Sequence, residues 1–192
     1  ATCANVAVGF DILGFSIETL GDYVTLTKRQ DRKIVIESMD SPESLPLDSH
    51  KNTASVVIHR FCEELNLECG FSIHIKKDIP LCSGMGGSAA SAVAALTACN
   101  AFLTSPLSVH ELAYFALFGE EVASGAPHPD NIVPCLFGGL TLIHAQKPLH
   151  VIGLPIPNVY CVLLHPHLQV STRSARELLK REVSLTSHVQ QS

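Results

Sequence analysis

The residues best placed to do chemistry form the run Pro80-Leu81-Cys82-Ser83-Gly84-Met85-Gly86-Gly87-Ser88-Ala89-Ala90-Ser91. It follows an alternating strand pattern and opens a long apolar helix. Its glycines permit backbone conformations closed to other residues, so an anion can approach the main chain closely. The helix start adds unpaired N–H groups and the positive end of a macrodipole. Together these make a phosphate cradle, to which Ser83 and Ser88 bring hydroxyls for a phosphate oxygen or a phosphate-bound Mg²⁺. No Lys-Ser or Lys-Thr closes the run, and neither G-x-G-x-x-G nor G-x-S-x-G occurs in it, so a Walker loop, a dinucleotide fingerprint and a hydrolase elbow are excluded. Composition alone is served equally well by a glycine-rich turn ahead of an alanine-rich packing helix.

A second segment runs from Gly119 to Asn131. Glu120 and Glu121 sit late in a helix, where acidic groups meet the negative end of the dipole. A carboxylate retained there suits a cation. His128, Asp130 and Asn131 then crowd polar groups into a Gly- and Pro-rich loop. At the start of the chain, Asn5 and Asp11 interrupt a small, apolar stretch. Buried polar groups need partners, and a ligand amine or hydroxyl would be one. A capped turn explains that segment equally well.

The remaining elements must position these residues. Asp22–Lys28 and Lys33–Glu37 alternate like paired half-buried strands, and Phe71–Lys77 alternates again before Pro80. Asn52–Leu65 reads as a helix with Asn52 as N-cap. Gly86–Leu103 is apolar nearly all round and is expected to be buried. Ser108 and Glu111 form a capping box for a helix through Ser124, and a short helical turn follows Pro129. Residues 139–144 and 159–164 read as strands, and Thr172–Glu182 as an amphipathic helix with Val170-Ser171 as its cap. Mixed elements without a regular βαβ repeat favour an α+β architecture.

The 192 residues are 46% hydrophobic and 16% charged, enough to bury a core. A net charge of −5 without a basic stripe argues against a nucleic-acid partner. The longest apolar stretch, Ser88–Ala98, falls short of the roughly 20 residues of a membrane span. Seven dispersed cysteines without a C-x-x-C pair suggest small buried thiols in a reducing compartment, hence a cytoplasmic location. His165 and His167 have a spacing that suits a metal, but no acidic or thiol cluster accompanies them, and surface histidines are the better reading. The chain starts without Met and stops after a segment ready to continue, as expected of a fragment.

In order and spacing, these segments resemble the GHMP small-molecule kinases, within them the homoserine kinases. PLCSGMGGSAAS resembles that family's Pro-x-x-x-Gly-Leu-Gly-Ser-Ser-Ala motif, ATCANVAVGFDILGF its opening motif, SGAPHPDNIVPCLFGG its third and VSTRSAR its fourth. The resemblance implies an ATP- and Mg²⁺-dependent kinase that phosphorylates the hydroxyl of L-homoserine in threonine synthesis. It implies a GHMP kinase N-terminal domain over residues 1–153, with a fold also found in an RNA-binding ribosomal domain, and the start of a second α+β domain over 154–192. Carried over by position, Pro80, Leu81, Cys82, Ser83, Gly84, Met85, Gly86, Gly87, Ser88, Ala89 and Ala90 wrap the ATP phosphates, and Asn52 meets the base. Ser88 and Glu120 match Mg²⁺ ligands. Asn5, Asp11, His128 and Arg176 match groups that hold the amino acid, Asp11 its ammonium and Arg176 its carboxylate. Other GHMP kinases carry an aspartate base near Asn131; an asparagine takes no proton, so position and charge are implied to activate the hydroxyl.

Two residues depart from the family pattern, Gly87 in place of the first serine and Cys82 in place of a glycine. The resemblance also implies a homodimer. A mevalonate- or sugar-type kinase and a non-catalytic nucleotide-binding module are the competing readings, and an ammonium–carboxylate pair of recognition residues favours an amino acid over the first.

Overall fold

The computed structural model describes residues 1–42, 45, 47–164, 172–179 and 182–191. The expectations for His165, His167 and the Val170-Ser171 cap lie outside them. Seven strands fall into two sheets. An antiparallel sheet has the order β1-β2-β6-β7, from Thr2–Ala4, Leu13–Ser16, Leu140–Gln146 and Leu149–Leu154. The other has the order β3-β5-β4, from Tyr23–Arg29, Gly70–Lys76 and Ile34–Asp40, with β5 antiparallel to β3 and parallel to β4. The two early strand patterns are therefore present but do not pair; β5 lies between them. The parallel β4–β5 pairing requires a crossover, and helix α1 (Thr53–Glu64) supplies it.

Strand β5 shows why the core lies where it does. Phe71, Ile73 and Ile75 point to one face and are buried, whereas His74 and Lys76 point away and are exposed. Onto the buried face pack Val57, Ile58 and Phe61 of α1, Ala92, Leu96 and Cys99 of α2 (Gly87–Asn100), and Phe115 of α3 (Val109–Ser124). The rings of Phe61 and Phe115 meet edge-on with centroids 5.1 Å apart. Helix α2 is buried by neighbours on several sides, as its uniform apolarity demands. Asn52 caps α1 by accepting from the Ala54 N–H at 3.0 Å, and the Ser108–Glu111 capping box opens α3.

Helix α4 (Pro129–Phe137) joins the helical layer to the second sheet. It rests on β2 at Gly14, where an added Cβ would stand 2.1 Å from the Asp130 carbonyl oxygen. Only glycine permits that approach.

Several expectations are corrected. Residues 159–164 form no strand; Val159, Tyr160 and Leu164 are exposed, and no described strand offers them hydrogen-bonding partners. The strand of that region is β7 instead. β1 and β2 were not expected, being short and rich in small residues. The helix expected over Thr172–Glu182 is described only as α5 (Thr172–Glu177), and a separate α6 (Leu185–Gln191) lies beyond the expected range. All seven cysteines are free thiols, but only Cys99 is buried; Cys3, Cys62, Cys69 and Cys135 are half-buried, and Cys82 and Cys161 are exposed. Burial pushes the Cys62 thiol up to about 12, and it is inert at neutral pH.

Phe61 has no exposed surface and sits where α1, α3 and the sheet meet. Phe61→Ala is expected to cost about 3–5 kcal/mol. Urea unfolding should show a lower midpoint with an unchanged slope.

Candidate active site

The loop Pro80–Gly86 connects β5 to α2 and owes its shape to three left-handed residues. Cys82, Gly84 and Gly86 have φ of 52°, 73° and 65°. A glycine would suit position 82 better, which is the physical content of that departure; a non-glycine residue there costs about 1–2 kcal/mol. Gly86 is the N-cap of α2 and contributes no capping side chain, so the first N–H groups of the helix are left for another partner.

Two further segments close on this turn. The Thr2 N–H donates to the Met85 carbonyl at 3.1 Å, and the Thr2 hydroxyl donates to Asn131 Oδ1 at 2.8 Å. A Cβ on Gly86 would lie 2.1 Å from Thr2 Oγ1 and 2.7 Å from Asn131 Oδ1. The chain start, the glycine-rich loop and the head of α4 are thus packed around one missing methyl group.

They surround a cavity of about 590 Å³. Of the residues singled out in sequence, Asn5, Asn52, Glu120, His128, Asn131 and Arg176 line it, as do Pro80, Leu81, Cys82, Ser83, Gly84, Gly86, Gly87, Ser88 and Ala89. Met85 and Ala90 instead turn inward and pack with Ile79 in a small apolar cluster. Asn52 commits its side-chain oxygen to capping α1. Gly87 leaves little room for the serine that the family pattern has there, because a Cβ would lie 3.3 Å from Ile79 Cγ2.

The hydroxyl oxygens of Ser83 and Ser88 are buried and have no hydrogen-bond partner. Buried hydroxyls are ordinarily satisfied, and a pair left open on one phosphate-shaped loop fits a polar ligand. Ser88 and the half-buried Glu120 are both oxygen donors on this wall. Such a pair suits Mg²⁺, which takes one or two protein oxygens and completes its shell with phosphate and water. Among the described residues no group of three His, Cys, Asp or Glu side chains could hold a metal by itself.

Beneath the loop lies a network that sequence reading missed. Lys77 forms an ion pair with Asp22, and their side chains are only 7% and 0% exposed. The Lys77 ammonium also donates to Ser91 Oγ at 2.8 Å and to the Gly87 carbonyl at 3.0 Å. Asp22 accepts from Ser91 Oγ at 2.7 Å and from the Ile79 N–H at 3.1 Å. Lys77 and Ser91 line the cavity, so a charge-balanced buried pair is anchored where α2 begins. The signal was available in the register: residue 77 continues the inward phase of Phe71, Ile73 and Ile75 with a lysine where an apolar residue belongs.

At the other end, the β1–β2 loop runs left-handed at Asn5, Val6, Ala7 and Asp11. Asn5 Oδ1 accepts from the Asp11 N–H at 3.0 Å and so shapes the turn that presents Asp11. Arg176 donates to both oxygens of Asp11, at 3.0 and 2.5 Å, and its guanidinium lies 5.1 Å from the Phe10 ring centroid. His128 Nδ1 is 3.6 Å from Asp11 Oδ2. The hydrogen bonds to Asp11 raise the Arg176 pKa, with attraction from Asp11, Asp130 and Glu120 adding to it. The structure therefore brings Asn5, Asp11, His128 and Arg176 together; Asp11 is not among the cavity-lining residues and is held beside them by its pair with Arg176. Asp130, buried among them, was noted in the sequence only as part of a polar loop.

The architecture and loop define the class. Residues 52–139 match the family model of the GHMP kinases N terminal domain. Relatives that it matches include homoserine kinases. It is 42% identical to the homoserine kinase of Chloroherpeton thalassium and 44% identical to that of Chlorobium phaeobacteroides, covering all of this chain and 64% and 63% of theirs. A crystal structure of homoserine kinase from Cytophaga hutchinsonii superposes with a TM-score of 0.90 at 40% identity, over all of this chain and 61% of that one. The Methanococcus jannaschii mevalonate kinase, at 21% identity and a TM-score of 0.58 over 74% of this chain and 48% of that one, shares the fold. The chain spans somewhat under two thirds of the length of these homoserine kinases.

Gly86→Ala should push Thr2 and Asn131 apart and misdirect the α2 amides. Calorimetry is expected to show ATP binding weakened by at least about tenfold. Asp22→Asn leaves the Lys77 ammonium buried without its counter-charge and is expected to cost about 3–5 kcal/mol in chemical denaturation.

Proposed function

We propose that this chain forms the nucleotide- and substrate-gathering part of an ATP-dependent kinase acting on the hydroxyl of L-homoserine, yielding O-phospho-L-homoserine for threonine synthesis. The carrying observation is one cavity lined by a glycine-rich loop and helix start with two open serine hydroxyls, by Arg176 paired with Asp11, and by Asn131. The homology to homoserine kinases supports the choice of substrate.

The chain's own groups divide the work. The α2 amides, Ser83 and Ser88 hold the phosphate chain, and Lys77, its charge balanced by Asp22, braces the start of α2 through the Gly87 carbonyl. Ser88 and Glu120 would hold Mg²⁺, which when bound neutralises phosphate charge. Asp11 takes the substrate ammonium and Arg176 its carboxylate, assisted by Asn5 and His128. Asn131 gives its carbonyl oxygen to Thr2, which leaves its amide N–H groups as donors; it orients the hydroxyl and removes no proton. Transfer then rests on alignment and electrostatics, which carry most of the catalysis in phosphoryl transfer.

By the same homology we assign residues 1–153 to the nucleotide-binding domain and 154–192 to the start of a second domain. The free thiols support a cytoplasmic setting, and the family resemblance alone supports a homodimer. No described helix is long and apolar enough to cross a membrane.

A coupled ADP-release assay with L-homoserine and a panel of other alcohols tests the reading. L-Homoserine should be preferred, and Ser88→Ala and Glu120→Ala should each lower turnover at saturating Mg²⁺ by at least about tenfold. Preference for an alcohol without an amine would reject the substrate. ATP binding without any stimulated ADP release would leave a nucleotide-binding module, and turnover within about twofold of the parent would reject the metal assignment.

A further inference from the structure

The glycine-rich loop has little of its own to hold it in shape. Along Pro80–Gly86, the Met85 carbonyl accepts from the Thr2 N–H and the Gly86 carbonyl from the Ala90 N–H, while the Ser83 hydroxyl makes no hydrogen bond. The left-handed residue Cys82 persists in such a loop only where surrounding contacts dictate it. Those contacts gather at the two flanks of the loop, on one side chain.

The Asp22 side chain has no exposed surface. Its carboxylate accepts from the Asp78 and Ile79 N–H groups, at 3.2 and 3.1 Å, just past strand β5 where the chain enters the loop. It accepts as well from Ser91 Oγ at 2.7 Å, one turn into α2 where the chain has left the loop. Ser91 is only 3% exposed and uses its hydroxyl twice, because it also accepts from the Lys77 ammonium at 2.8 Å. That ammonium donates in turn to the Gly87 carbonyl at 3.0 Å, one turn nearer the start of the helix.

We propose that Ser91 is a positioning residue for the phosphate-holding end of the site, its hydroxyl locking the first turn of α2 to Asp22 and, through Asp22, to the segment that enters the loop. The assignment rests on the nucleotide-binding part of the kinase reading above. Lys77 reaches Gly87 on a long, flexible stem, which fixes charge better than direction. The Ser91 hydroxyl sits on a short arm of the helix itself and transmits any rotation of α2 directly to Asp22. Ser88 lies three residues earlier, so a rotation that broke the Ser91 bond would also carry Ser88 Oγ and the helix-start amides out of line. A polar site tolerates about 0.5 Å of such misplacement. Ser91 lines the cavity, but its single proton is committed to Asp22, which leaves it no donor for a phosphate oxygen. It therefore acts through the helix rather than on the ligand.

Ser91→Ala removes the tie and leaves the Asp22–Lys77 pair intact. By calorimetry, the Kd for ATP is expected to rise by at least about tenfold, whereas the affinity for adenosine, which has no phosphate, should stay within about twofold. In the ligand-free protein the amide NMR resonances of Gly87, Ser88 and Ala89 should shift. The Ala90 N–H should exchange with solvent at least about tenfold faster. Unchanged ATP binding overturns the assignment while the kinase reading stands. Equal losses with ATP and adenosine overturn it in favour of a general structural role. Weaker ATP binding with the ligand-free amides unmoved overturns it in favour of direct contact with the nucleotide. If Ser91→Ala is unfolded by circular dichroism, Ser91→Cys, which fills the site with a weak hydrogen-bonding group, carries the same comparison. A parent chain that does not bind ATP overturns the kinase reading and this assignment together.

Discussion

The site depends on one close contact, the Thr2 hydroxyl and the Asn131 amide seated against the bare Cα of Gly86. That contact ties the chain start to a segment 129 residues later and holds both against the mouth of α2. The left-handed turn at Gly86 also starts the helix without a side-chain cap. The same residue thus opens the amides to a ligand and lets the neighbouring walls come close enough to enclose it. A methyl group at that point would undo both.

Two ion pairs flank the cavity and differ in what surrounds them. Lys77 and Asp22 are almost fully removed from water, and further hydrogen bonds from Ser91 and the Ile79 N–H satisfy the remaining valences. Breaking such a pair strands a charge, so it behaves as part of the scaffold. Asp11 and Arg176 retain about a quarter of their side-chain exposure. A pair wetted to that degree contributes little stability and exchanges partners readily. The fold places a buried, fixed pair beneath the glycine-rich loop and a more exposed, yielding pair beside the β1–β2 loop.

Backbone strain has the same geography. Among the described residues, the non-glycine positions with left-handed backbone are Asn5, Val6, Ala7, Asp11, Arg32, Asn66 and Cys82. All but Arg32 and Asn66 belong to the two loops that frame the cavity. Each such position costs of the order of 1 kcal/mol and persists where surrounding contacts dictate it. Val6 is the sharpest case, since a β-branched side chain tolerates that region poorly.

Local rules were enough to read much of this from the sequence. The helix at 53–64 was announced by Asn52, the helix at 109–124 by Ser108 and Glu111, and β5 by its alternation. The glycine-rich loop announced its own geometry, because close backbone approach and a helix start are properties of the chain itself. Other features required long-range packing. β1 and β2 are too short to signal themselves and exist because β6 pairs with β2. The separation of β3 from β4 depends on β5 entering between them, and residues 159–164 join no described sheet because strand propensity needs a neighbour to become a ladder. Asp22 and Lys77, or Asp11 and Arg176, are ordinary charges until folding brings them together across 55 and 165 residues. Residue types and local spacing settle which chemistry is available, whereas only the folded chain decides which charges meet and how far each is removed from water.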